Sequence, residues 1–345
     1  MDYLLKTRDQ HKFDSVNSKL IWGIHPENPK YSIVIPTYRR PELLRESLQS
    51  AIGQQRVSEY EIIVVDNNAD ESVSNSKTLE VIKEFDSPKV VYYKNEENIG
   101  IYGNTLRAAQ LAKGEYVALL NDDDLLHPHY LDVMNAFLEK YHYKGIIGSM
   151  PWEFYESGYT FSNIPEKVPC FEVSKIEFFF GCCVTSPGMM YPKKILYDIY
   201  NSYEELLMGD QIIQYRALRK YGLAFVSFPL AAYRVQENAT LNEDVLCDMI
   251  YHMCNLRKQT AKENIWLTLF VSLFYKEYCN WYIDSTLYFW EKRRLRKRVA
   301  QSLDIHGTSR WSLKQIFVRN LIDEIHAMYS RKHIRVSDYI EFSYN

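Results

Sequence analysis

Short apolar runs alternate with helically spaced segments from about residue 30 to residue 141. Ser32-Ile33-Val34-Ile35 is stopped by Pro36 and reads as a buried strand. Pro41 suits a first helical turn, Leu44, Leu48, Ala51 and Ile52 follow at helical spacing, and Gly53 closes the segment. Glu61 to Val65 is a second strand, ending at Asp66-Asn67-Asn68. A helix is predicted from Ser76 to Phe85, a strand at Val90-Val91-Tyr92-Tyr93 and a helix from Tyr102 to Ala112. Tyr116 to Leu120 is a fourth strand that runs into Asn121-Asp122-Asp123-Asp124, and Pro128 to about Tyr141 is helical.

Strand and helix in alternation, joined by short loops, predict an α/β fold with a mostly parallel sheet covered on both faces. Ligands of such sheets bind beyond the carboxyl ends of the strands. Three polar clusters fall at such ends: Thr37-Tyr38-Arg39, Asp66-Asn67-Asn68 and Asn121 to Asp124. Residues distant in sequence are therefore expected to face one pocket.

Beyond Tyr143 the pattern loosens. Gly145 to Gly148 suits a strand, and the stretch to Phe180 reads as aromatic and loop-like. Leu206 to Tyr221 reads as a helix and Ala224-Phe225-Val226 as a strand, and from about Leu241 the chain reads as all-helical. The expected organisation is a polar N-terminal extension over 1–29, a main α/β domain over 30–240 and a helical C-terminal region over 241–345.

Three consecutive carboxylates repel one another. A divalent cation would relieve that repulsion, and oxygen ligands favour magnesium or manganese held partly by substrate phosphates. Such a cation stabilises a departing diphosphate. The alternative is a solvated acidic turn capping the next helix.

With these residues in place, 31 to about 240 resembles a family 2 glycosyltransferase of GT-A fold. Ser32 to Tyr38 resembles the family's opening strand and Pro-Thr-Tyr turn, and Glu61 to Asn67 its second strand and nucleoside-binding Asp. Asn98-Ile99-Gly100 with Asn104 resembles the segment that shapes the donor pocket, and Gly114-Glu115-Tyr116 leads to a D-x-D-like cluster. The resemblance implies inverting transfer of a sugar from a nucleotide-sugar donor, UDP-linked by preference, to a glycan or lipid-linked glycan hydroxyl. It implies Asp66 on the base, Pro36, Thr37 and Tyr38 around base and ribose, and Arg39 at a phosphate. Asn98, Gly100, Asn104, Asn121, Asp122 and Arg234 complete the donor side.

Mn2+ or Mg2+ is assigned to Asp123 and Asp124, with Asp122 as the competing choice because Asn121 blurs the frame. Gly209-Asp210-Gln211 resembles the family's Glu-Asp motif, making Asp210 the general base, although Asp210 also suits a helix N-terminus. Gly209 stands where the family has an acid, and Gln236 where some relatives have a His. Gly188, Met189 and Gly209 are expected on the acceptor side. Phe178-Phe179-Phe180 and Trp152 suit packing better than a sugar platform.

The net charge of -3 draws the chain neither to nucleic acid nor to anionic lipid as a whole. The six cysteines form no C-x-x-C pair, which argues against zinc and fits a reducing cytoplasm. The N-terminus carries no apolar signal core, and no run approaches the roughly 18 apolar residues of a spanning helix. Twenty-eight tyrosines would suit half-wet grooves, but an AT-rich coding sequence accounts for them better. Residues 265–290 are aromatic and precede a basic run, Lys292 to Arg298. This pairing suits peripheral contact with the inner face of a membrane, or a helical cap with a solvated basic side. The sequence leaves a homo-oligomer open. The first strand is followed by neither G-x-G-x-x-G nor a P-loop, which sets aside a dehydrogenase or nucleotidyltransferase. Gly209 and Gln236 motivate one alternative, a catalytically silent glycosyltransferase-like scaffold.

Overall fold

The computed structural model describes residues 13–155, 157–181, 187–200, 209–235, 242–287, 293–305, 312–335 and 339–344. The expected alternation is present with small shifts of boundary. A short strand β1 (Ser18–Trp22) precedes β2 (Tyr31–Thr37), α1 (Pro41–Ile52), β3 (Tyr60–Asp66), α2 (Lys77–Phe85), β4 (Val90–Asn95), α3 (Gly100–Leu111) and β5 (Tyr116–Leu119). Ser76 caps α2 by accepting from the Leu79 N–H, and Pro41 opens α1.

After a two-residue strand β6 (Leu125–Leu126) come α4 (Tyr130–Tyr141), β7 (Ile146–Phe154), β8 (Lys167–Glu172), α5 (Lys175–Phe179) and β9 (Met189–Pro192). Next are α6 (Lys193–Tyr200), α7 (Gly209–Lys220) and β10 (Leu223–Arg234). The C-terminal part holds α8 (Glu243–Ala261), α9 (Ile265–Leu287), α10 (Arg293–Ser302), α11 (Leu313–Arg335) and β11 (Tyr339–Glu341).

These strands form one sheet in the order β1-β4-β3-β2-β5-β9-β7-β10-β8-β11, with β6 on β10. The block β4-β3-β2-β5 is parallel, as its continuous apolar runs predict. Beyond it, β9 is antiparallel to both neighbours, β7 and β10 are parallel, and β8 and β11 are antiparallel. Ile33, Ile35, Ile62 and Val64 bury one face; Val34, Ile63 and Val65 bury the other. Helices α8 to α11 enclose a separate core with Phe179, Phe180, Tyr278 and Cys279.

Three expectations are corrected. The stretch read as loop-like contains β8 and α5. The region read as all-helical ends in a strand that joins the sheet. The N-terminal segment contributes β1, paired antiparallel to β4. Part of the tyrosine content goes to the core: Tyr31, Tyr60, Tyr92, Tyr130, Tyr191, Tyr215 and Tyr278 are fully buried. Cys170, Cys247, Cys254 and Cys279 are buried and free of disulfides; Cys182 and Cys183 lie outside the described residues.

Candidate active site

A cavity of about 440 Å3 opens where β2 and β3 end and α3 begins, within the usual range for a ligand pocket. Its lining includes Pro36, Thr37, Tyr38, Asn98, Gly100, Asn104, Asn121, Asp122 and Asp123, which the sequence placed on the donor or metal side. It also includes Asn67, from the second polar cluster, and Arg40, Ile101 and Tyr233, which sequence reasoning had not assigned to it.

Buried amides hold the strand ends together beneath the cavity. The Asn104 amide donates to the Val65 carbonyl at 2.9 Å and accepts from Asn95 at 2.9 Å. Asn67 donates to Asn98 Oδ1 at 2.7 Å and accepts from the Ile99 N–H at 3.0 Å. Gly100 adopts a left-handed φ of 74°, which lets the loop turn directly into α3.

The acidic cluster splits into two directions. Asp122 accepts from the Thr37 hydroxyl at 2.8 Å, and burial pushes its carboxyl up to about 6. Asp123 receives Arg40 Nη1 at 2.9 Å, and the same nitrogen lies 3.5 Å from Asp122. Asp124 turns away from the cavity and is wholly buried. One of its oxygens accepts from the Arg234 N–H at 2.9 Å and the other from the Asn121 amide at 2.7 Å. Burial, helped by the charge of Asp123, raises its pKa as well. Asp124 thus fixes the turn, and the frame that faces the cavity is Asn121-Asp122-Asp123. The metal assignment to Asp124 is corrected on this ground.

Other assignments move too. Asp66 ends β3 but is wholly buried behind the cavity wall. Its carboxylate accepts from the Asn68 N–H at 2.8 Å and the Tyr92 hydroxyl at 3.0 Å, with Lys94 Nζ at 3.6 Å. Asn67, its neighbour, is the residue that reaches the cavity. Arg39 has a left-handed φ of 57° and turns outward, where Nε donates to Asn68 and Nη2 meets Asp70. The cation in the cavity is Arg40. Arg234 is buried: its Nε donates to the Asp123 carbonyl at 2.8 Å, its Nη2 meets Glu46 at 2.8 Å, and it stacks over Phe154. It holds the acidic turn from below, while Tyr233 lines the cavity.

Met189 is fully buried in β9, and Gly188 is buried at φ 90°, where a Cβ would meet Ser149 Oγ at 2.6 Å. Neither lines the cavity. Gly209 and Asp210 open α7, and Asp210 is half-buried in its first turn. Asp210 does not line the cavity. Residues 182–186, 201–208 and 236–241, with Gln236 among them, lie outside the described residues.

The profile of the family described as Glycosyl transferase family 2 matches residues 32–200, from β2 through α6. The chain carries a family 2 glycosyltransferase domain. This glycosyltransferase domain is 31% identical over 189 residues to the uncharacterized glycosyltransferase MJ1057 of Methanocaldococcus jannaschii, covering 54% of this chain and 62% of that protein. It is 31% identical over 143 residues to the poly(ribitol-phosphate) beta-N-acetylglucosaminyltransferase TarP of Staphylococcus aureus, covering 37% of this chain and 42% of TarP. The chain therefore spans less than two thirds of these relatives. The crystal structure of S. aureus TarS 1-349 in complex with UDP-GlcNAc superposes with a TM-score of 0.54 at 19% identity, covering 80% of each chain. That likeness establishes the GT-A fold for the glycosyltransferase domain.

Proposed function

We propose that this protein transfers a sugar, with inversion, from a UDP-sugar to a hydroxyl of a glycan or lipid-linked glycan in surface-polysaccharide synthesis. The observation that carries the reading is the single cavity in which Tyr38, Asn67, Arg40, Asp122 and Asp123 converge from three strand ends. The family match, the named activity of TarP and the UDP-GlcNAc bound in the TarS crystal structure support it. A lipid-linked acceptor would bring the enzyme to the inner face of the cell membrane.

The donor lies with its base against Tyr38 and Asn67 and its diphosphate toward Arg40 and the acidic turn. Asp122 and Asp123 present two carboxylates that already share a guanidinium, so their chemistry fits Mn2+ or Mg2+. Among the described residues no trio of His, Cys, Asp or Glu could hold a metal unaided. Two carboxylates completed by donor phosphates match the usual habit of magnesium. Bound there, the ion would neutralise the charge that develops on the diphosphate. Asp210 takes the acceptor hydroxyl's proton. The hydroxyl oxygen bonds to the anomeric carbon as the bond to the diphosphate breaks, and the nucleoside diphosphate departs.

Calorimetry against a panel of nucleotide sugars, followed by transfer assays with Mn2+, tests this. Asp210→Asn should lower kcat by about 10²- to 10⁴-fold while leaving donor Kd unchanged. A variant that keeps its rate removes Asp210 from the reaction. Donor binding with neither transfer nor hydrolysis toward any acceptor would favour the silent scaffold.

A further inference from the structure

Helix α9 has two apolar sides and only one cover. Leu267, Tyr278, Cys279 and Ile283 pack into the helical core. Ile265, Leu269 and Leu273, each four residues from the last, point the other way and stay exposed, with Trp266 beside them. Ile265 and Trp266 are both 71% exposed.

Helix α11 extends this face. Leu313, 86% exposed, and Phe317 stand four residues apart. The Phe317 ring meets Phe274 of α9 at 5.4 Å, and Gln315 Nε2 donates to the Glu277 carbonyl at 3.0 Å, so the two stripes join. A continuous exposed apolar face of this kind marks an interaction surface.

Its flanks are basic. Lys262 and Lys276 lie one turn before Ile265 and one turn after Leu273, and Lys314 and Arg319 flank the α11 stripe; all four are exposed. Asp323 and Glu324 are the exposed acids, one turn further along α11. This local excess of cations stands out in a chain of net charge -3. Within the basic run expected to serve a membrane, Arg296 and Arg298 are engaged elsewhere. Arg296 holds Asp284 at 2.8 Å and Asn280 at 2.9 Å, and Arg298 pairs with Asp244.

We propose that the joined face of α9 and α11 docks onto the surface of an anionic lipid bilayer. Apolar side chains enter the headgroup boundary, and the flanking cations meet lipid phosphates. Among the described residues no helix is long and apolar enough to cross a membrane, so the contact is of the surface type. A second copy is the poorer occupant, because a two-fold interface would set each cationic flank close to its own duplicate. The face belongs to the C-terminal helices, so the inference stands or falls apart from the glycosyl-transfer reading.

The test is flotation of the full chain with phosphatidylcholine vesicles, with and without phosphatidylglycerol. The wild type should float with the anionic vesicles alone, and salt should weaken the binding. Lys276→Gln and Lys314→Gln should each reduce partitioning roughly fivefold. The double variant Leu269→Ser/Leu273→Ser should reduce it more than tenfold. Circular dichroism checks that helix content is kept, and the lysine variants carry the test if it is not. Equal flotation with both vesicle types, no flotation at all, or variants that float like wild type would overturn the proposal. So would a dimer in the absence of lipid that the leucine double variant dissociates.

Discussion

At the scale of the residue, the site turns on which of two neighbours faces inward. Asp66 and Asn67, Arg39 and Arg40, and Asp123 and Asp124 are adjacent pairs of similar chemistry, and in each one member lines the cavity. Composition and spacing located the strand ends but not which neighbour faces inward, because that choice depends on backbone dihedrals after the strand ends. The φ of 57° at Arg39 is the case in point: it turns that side chain out and delivers Arg40 to the carboxylates. Arg40→Ala should therefore tighten Mn2+ binding in the absence of nucleotide, since it removes a competing cation, and should weaken donor binding about tenfold. Arg39→Ala should change neither. Paramagnetic resonance titration and calorimetry read the two effects separately.

Asp122 carries a pH signature. Its folded-state pKa stands near 6 against an ordinary 3.8, so the folded protein prefers the protonated form. The associated stability is present below about pH 4 and is lost as pH rises through about 6. Asp122→Asn imitates the protonated carboxyl. Without metal, its Tm should exceed that of the wild type at pH 8, and the difference should vanish near pH 4. A constant difference across that range would contradict the burial argument.

At the scale of the element, legibility followed burial. Strands β2 to β5 are covered on both faces and read as unbroken apolar runs. Strand β8 was missed because it alternates and contains Pro169, which suits its lack of a full ladder. The visible core of β10 was Ala224 to Val226, and its second half was hidden by Pro229, where the register with β7 shifts between Val226 and Ala231. Strands β1 and β11 are short edge pieces with no periodicity long enough to detect. One element-level contact has a sharp consequence. A Cβ on Gly114, in the turn before β5, would lie 2.7 Å from the Ser32 nitrogen and 2.7 Å from the Tyr31 carbonyl carbon. Backbone cannot yield as a flexible side chain does. Gly114→Ala should destabilise by about 1–3 kcal/mol, measured as a lower urea midpoint at unchanged m-value.

At the scale of the whole molecule, the chain closes on itself at the far edge of the sheet. Strand β11 pairs with β8, and Ile340 and Phe342 are buried there. The Phe342 and Tyr344 rings meet His129 edge-on at 4.9 and 5.4 Å, and the Ile164 N–H donates to the Tyr344 hydroxyl. The last residues are thereby tied to the start of α4, which follows the acidic turn. Yet β11 lies six strand positions from β2 in the sheet, and none of its residues lines the donor cavity. The C-terminal strand should therefore act on stability and not on donor binding. Truncation before Tyr339 removes two buried apolar side chains, each worth about 1.5–3 kcal/mol. Tm should fall by several degrees, read by calorimetry, while nucleotide-sugar Kd at a temperature where both forms are folded stays the same. A matching loss of donor affinity would mean that the edge strand and the cavity share one cooperative unit, with the His129 contacts as the link.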